Sequence, residues 1–83
     1  MTRAIVLIEA ERDSFTTLGS ELAGIEGVRE AWSVTGEWDF LALVEVERHE
    51  DLAGVVIKAI SQMDGVERTQ TMVAFETFGR PAG

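Results

Sequence analysis

Asp39–Arg68 reads DFLALVEVERHEDLAGVVIKAISQMDGVER and contains a strand, a helix and the start of another strand. The opening run Ala42-Leu43-Val44-Glu45-Val46 is apolar and rich in β-formers. Leu52, Val55, Val56, Ala59, Ile60 and Met63 then fall at i, i+3, i+4, i+7, i+8 and i+11, one stripe at the helical period. Asp51 stands at the start of that stripe, where a carboxylate accepts hydrogen bonds from first-turn amides. Gly65 follows it, where a left-handed residue turns the chain, and Val66 re-enters extended structure.

The same plan occurs once before. Ala4, Asp13 and Gly27 each stand 38 residues ahead of Ala42, Asp51 and Gly65. The first copy runs from Ala4-Ile5-Val6-Leu7-Ile8 past Asp13 or Ser14, as cap, to Phe15, Leu18 and Leu22, and then to Ile25-Glu26-Gly27-Val28. Its helix is the weaker one, because Gly19 and Gly24 each cost roughly 1 kcal/mol inside a helix. Strands are expected over about 3–10, 28–35, 39–47 and 66–78. Strands two and three meet at Thr35-Gly36-Glu37-Trp38-Asp39, a glycine-containing link that suits a hairpin. The order β-α-β-β-α-β predicts an α+β, ferredoxin-like fold: a four-stranded antiparallel sheet with both helices on one face.

With 83 residues the chain forms one domain, expected over 1–79, with 80–83 as a flexible tail that holds the only proline. The absence of cysteine excludes disulfides, thiolate catalysis and thiolate metal ligation. Fifteen acidic against seven basic residues give a net charge of −8, which repels nucleic acid and anionic lipid. No apolar run approaches the ~18–20 residues of a membrane span. The expectation is a cytoplasmic protein that makes no direct contact with nucleic acid or membrane.

A sheet covered by helices on one side should alternate to polar residues on the other. Here it does not. Ile5 and Leu7 alternate with Val6 and Ile8, and Leu41 and Leu43 with Phe40, Ala42, Val44 and Val46, so both faces are apolar. A second chain is expected to cover the open face, giving a sheet-to-sheet dimer of the dimeric α/β-barrel type. Val44 is assigned to that open face, so that Val44→Asp should break the dimer. Trp32 shares a face with Val34 and is read as a core or interface residue; Met63 and Met72 are read as core.

Val34-Thr35-Gly36-Glu37-Trp38-Asp39-Phe40-Leu41-Ala42-Leu43-Val44-Glu45, followed by Gly65-Val66-Glu67-Arg68-Thr69-Gln70-Thr71-Met72-Val73, resembles the ligand-sensing domain of the Lrp/AsnC family of transcriptional regulators, also called the RAM module. The resemblance runs over roughly residues 3–78. Because the chain begins at once with strand one, it implies a stand-alone module without the helix-turn-helix. It also implies homodimers assembled into an octamer-like ring, with an amino acid bound between dimers where the hairpin meets strand four of a neighbour. The family's Gly-x-x-Asp hairpin matches Gly36 and Asp39, with Thr35, Glu37 and Trp38 beside or between them; its Thr-x-Thr matches Thr69, Gln70 and Thr71. Trp38 departs from the tyrosine frequent there, which leaves the effector's identity open.

The residue chemistry suits a zwitterion. Asp39 or Glu37 offers a carboxylate to an ammonium group, while hairpin amides near Gly36 and the hydroxyls of Thr69 and Thr71 offer donors to a carboxylate. Taken locally, Gly36 and Asp39 are more often turn formers than ligands, and Thr69 and Thr71 more often β-formers; only their joint occurrence within the resemblance favours the site. His49, alone before the second helix, lacks the companions a metal site needs, and the acidic group around Glu45, Glu47, Glu50 and Asp51 lacks calcium-loop spacing. No cofactor and no metal are expected. Two alternatives stand beside sensing: a partner module that hetero-oligomerises with full-length regulators without a ligand of its own, and a small α/β-barrel oxygenase or isomerase. The second lacks an evident acid–base residue in mid-sheet, so no catalytic residue is assigned.

Overall fold

The computed structural model describes residues 1–79; the tail expected over 80–83 lies outside the described residues. Four strands, β1 (Thr2–Ala10), β2 (Val28–Ser33), β3 (Phe40–Val46) and β4 (Val66–Ala74), form one antiparallel sheet in the order β2-β3-β1-β4. A 3-10 turn, Arg12–Ser14, and a short α-helix α1, Leu18–Ala23, connect β1 to β2. Between β3 and β4 lie a 3-10 turn, His49–Asp51, and a π-helix, Gly54–Ile60. This is the ferredoxin-like arrangement that the repeat predicts.

Both helices bury their stripes against one side of the sheet. Leu18, Leu22, Leu52, Val56 and Ile60 meet Ala4, Val6, Ile8, Phe40, Ala42 and Val44 in a single core. Burying each large aliphatic side chain stabilises the fold by about 1.5–3 kcal/mol relative to leaving it exposed. The second helix is wider than its 3.6-residue period suggests: Ser61 N donates to Val56 O at 3.0 Å, five residues back, and the Ser61 hydroxyl donates to the same carbonyl at 3.0 Å. Leu52, Val56 and Ile60, four apart, stay on the buried side in either helical geometry. Asp51 caps the preceding 3-10 turn rather than this helix: its Oδ2 accepts from Arg48 N at 3.3 Å, whereas Ala53 stands at the N-cap of the π-helix with no side-chain hydrogen bond. The first helix is not capped by Asp13 or Ser14; those residues form the separate 3-10 turn, and Thr17 stands at the N-cap with no side-chain hydrogen bond. Gly27 and Gly65 have φ of 101° and 93°, and a Cβ on Gly65 would stand 2.6 Å from Ser14 Cβ, so both turns require glycine.

The facing of the sheet corrects one expectation. Val44 is 0% exposed and lies under the helices, opposite Val28 and Ala4, rather than on the open face. Alternation alone cannot tell which of two apolar sets faces the helices, since a one-residue shift exchanges them. The open face carries Ile5, Leu7, Leu41 and Leu43, with Trp32 opposite Leu41 and Met72 opposite Ile5. Trp32 and Met72 are 43% and 44% exposed, so Met72 is not a core residue, whereas Met63 packs at the core's edge. β4 ends at Ala74, short of the expected 78, where its pairing with β1 ends at Arg3 opposite Ala74. Phe75 and Phe78 are consequently exposed.

At one end of the open face Glu45 accepts from Arg3 Nε at 2.6 Å and from Arg29 Nη1 at 2.7 Å, linking β1, β3 and β2. Arg29 sits at the register shift between Val28 and Glu30, a bulge that re-aims its side chain towards β3. The Arg29 hydrogen bond foremost, then that of Arg3, holds the Glu45 carboxyl below the usual carboxylate range. A carboxyl depressed in the folded state contributes stability above its unfolded value, and loses that contribution as pH falls through the folded one. Carbon-detected NMR titration should therefore find Glu45 ionised to lower pH than a free glutamate, and Arg29→Ala should raise its midpoint more than Arg3→Ala.

Candidate functional site

The hairpin 34–39 stands at the opposite end of the sheet from Glu45, where β1 runs out and β4 begins. Gly36 has φ of 111°, and nothing lies within 4 Å of where its Cβ would be. Glycine is present for the turn itself, and the space beside it is open. Thr35, Gly36 and Glu37 are exposed; Trp38 and Asp39 are half-buried.

Asp39 ties this loop to the sheet. Its N–H donates to Ile8 O at 2.9 Å, its carbonyl accepts from Val34 N at 2.9 Å, and its Oδ2 accepts from Ala10 N at 2.8 Å. The register of β1 against β4 shifts between Glu9 and Ala10, and β3 has already turned away into the hairpin. The Asp39 carboxylate stands in for the missing strand carbonyl and satisfies the Ala10 amide. One carboxylate oxygen is thus structural, and Oδ1 has no such role.

The Thr-x-Thr segment is divided between the two faces of the sheet. Thr69 lies opposite Ile8 and Thr71 opposite Val6, on the helix side, whereas Gln70 lies opposite Leu7 on the open side. The Thr69 hydroxyl is 3.3 Å from the Ser61 hydroxyl at the end of the π-helix. What the structure does bring to the hairpin is Arg68: its guanidinium carbon lies 4.4 Å from the centre of the Trp38 ring, and Nη2 lies 3.5 Å from Glu9 Oε2. Arg68 is part of the quoted motif but is not among the candidate residues read from the sequence. Its signal there was only its place directly before Thr69.

Two grooves of the single chain lie elsewhere. One, about 700 Å³ and open to solvent, is lined by Ile25, Gly27, Val46, Glu47, Val55 and their neighbours at the far end of the sheet. A second, about 270 Å³, involves Met1, Arg3, Ala74, Phe75 and Thr77 at that same end. The hairpin of a single chain, with open space beside Gly36 and with Thr35 and Glu37 exposed, is a surface rather than an enclosed cavity.

The family model of the Lrp/AsnC ligand binding domain matches residues 3–81. The chain belongs to this family. An uncharacterised helix-turn-helix transcriptional regulator of Pyrococcus furiosus is 39% identical over 79 residues, covering 92% of this chain and 53% of that protein. The chain spans about half the length of the curated relatives it matches. Among solved structures, TTHA0845 from Thermus thermophilus superimposes with a TM-score of 0.90 at 40% identity, covering 96% of this chain and all of that one. The feast or famine regulatory protein Rv3291c from M. tuberculosis, complexed with L-methionine, superimposes with a TM-score of 0.76 at 26% identity over 96% of this chain and 54% of its own.

The structural role of Asp39 is directly measurable. Asp39→Ala leaves the half-buried Ala10 N–H without its acceptor and should cost about 1–3 kcal/mol in urea unfolding, with faster hydrogen exchange at Ala10. Asp39→Asn, which keeps an oxygen acceptor, should cost less.

Proposed function

We propose that this Lrp/AsnC domain is a non-catalytic sensing module that binds a free amino acid at the hairpin end of its sheet, between dimers of a ring-like homo-oligomer. The observation that carries the reading is the uncovered apolar face of Ile5, Leu7, Leu41 and Leu43, with the polar hairpin at its rim. An apolar patch of that kind calls for a partner surface, and a second copy satisfies both chains at once through a two-fold axis. The hairpin groups, on an open surface in one chain, then gain walls from a neighbour. Family membership and the L-methionine complex of Rv3291c support a small zwitterion as effector. Thr35, Gly36, Glu37, Trp38, Asp39 and Gln70 are its proposed contacts on the exposed side, with Thr69 and Thr71 reached only from the helix side.

Native mass spectrometry, alone and with the twenty amino acids, tests this reading. Even-numbered oligomers that retain one or a few amino acids saturably are expected, and a plain monomer would sink it. A second copy on the open face also predicts opposite fates for neighbouring substitutions. Leu43→Asp should dissociate the assembly while circular dichroism stays folded; Val44→Asp, which places a charge in the core, should unfold the domain at a cost of about 3 kcal/mol or more.

The alternative of a partner module rests on the same face, since the matched regulators share this domain at up to 39% identity. Co-purification with a helix-turn-helix relative, together with no amino acid retained by homo-oligomers, would favour it.

A further inference from the structure

An effector carboxylate needs donors, and the threonines are not the hairpin's own source of them: the Thr69 hydroxyl faces Ser61 on the helix side, and Thr71 lies exposed on that same side opposite Val6. The cation that the structure lays against the hairpin is Arg68. Its guanidinium rests on the Trp38 ring at 4.4 Å, a contact that holds the planar group in a fixed attitude. The only carboxylate on it among the described ion pairs is Glu9, at 3.5 Å, a long contact for a charge-assisted hydrogen bond. The Arg68 side chain is 53% exposed. Among the described residues only one of its five guanidinium N–H donors meets an acceptor, and an exposed, weakly held arginine fork suits a planar carboxylate.

Resting on the sensing reading above, we infer that Arg68, positioned by Trp38, is the carboxylate anchor of the effector site, with Glu9 as a resting counter-ion that an effector carboxylate displaces. The ammonium of the same effector meets Asp39 Oδ1 or Glu37 on the hairpin, so the site selects molecules that carry both charges. This assigns the carboxylate end to β4 and the ammonium end to the β2–β3 hairpin. An amine without the carboxylate leaves Arg68 on Glu9 and gains no contact from it, and an acid without the amine meets uncompensated carboxylates on the hairpin.

The test compares an equimolar mixture of the twenty amino acids with the same mixture as C-terminal amides, in which the carboxylate is neutral, on the assembled wild-type protein and on Arg68→Gln, Arg68→Lys and Glu9→Gln. Wild type is expected to retain acids and not amides. Arg68→Gln should weaken retention of the same acids by roughly 10- to 100-fold and erase the preference for acid over amide, which a merely structural role would not do. Arg68→Lys should recover part of the affinity, because it restores charge without the fork, and Glu9→Gln should bind at least as tightly as wild type. An assembled Arg68→Gln protein that keeps wild-type affinity and preference would overturn the anchor while leaving sensing intact. Weaker binding by Glu9→Gln would overturn the counter-ion role even if Arg68→Gln failed to assemble. A wild-type ring that retains nothing would instead overturn the sensing reading and the anchor with it.

Discussion

The central strands β1 and β3 are apolar throughout their middle stretches, Ala4–Ile8 and Phe40–Val44, and strand geometry sends alternate side chains to opposite faces. Ala4, Val6 and Ile8 therefore pair with Val44, Ala42 and Phe40 under the helices, while Ile5 and Leu7 pair with Leu43 and Leu41 on the other side. Two helices suffice to cover one of these faces. Everything else in the molecule answers to that arithmetic: the helical stripes fill one side, and the other is available for assembly.

The two ends of the sheet are finished by different chemistry. At one, Glu45 gathers arginines from β1 and β2, the second of them delivered by a bulge. At the other, the strands stop out of step, and Asp39 fills the gap by accepting the Ala10 amide. That hydrogen bond fixes the hairpin against β1 and places Trp38 beside Arg68 across β1. The polar rim is thus a product of how the ladder ends, and the loop that would meet a ligand is held by the sheet rather than by the ligand.

A good part of this arrangement is legible in the sequence alone. The 38-residue repeat carries the element order, since two strand–helix–strand units joined by a short hairpin leave few other topologies. Gly27 and Gly65 were legible as turns because the helical stripes stop just before them, and their positive φ bears that out. The first helix was harder. Phe15, Leu18 and Leu22 suggest a longer helix from Asp13, but the chain spends Arg12–Ser14 on a separate turn and keeps only Leu18–Ala23 as α-helix. Local spacing does not register that Gly65 packs against Ser14 and constrains where that turn sits.

For the candidate site, residue types and their approximate neighbourhood follow from the chain alone: a glycine turn, carboxylates on the hairpin, a threonine pair after the second turn. Their facing does not. Period two says that Thr69 and Thr71 share a side and Gln70 and Arg68 the other, but not which side the helices take, because exchanging two equally apolar faces leaves the pattern unchanged. Tertiary packing breaks that tie by seating both helices on Val6, Ala42 and Val44, which places the threonines on the helix side of the sheet and brings Arg68 to Trp38. The strands and their order are thus local and periodic properties of the chain; the side on which its chemistry stands is a property of contacts between elements far apart in it.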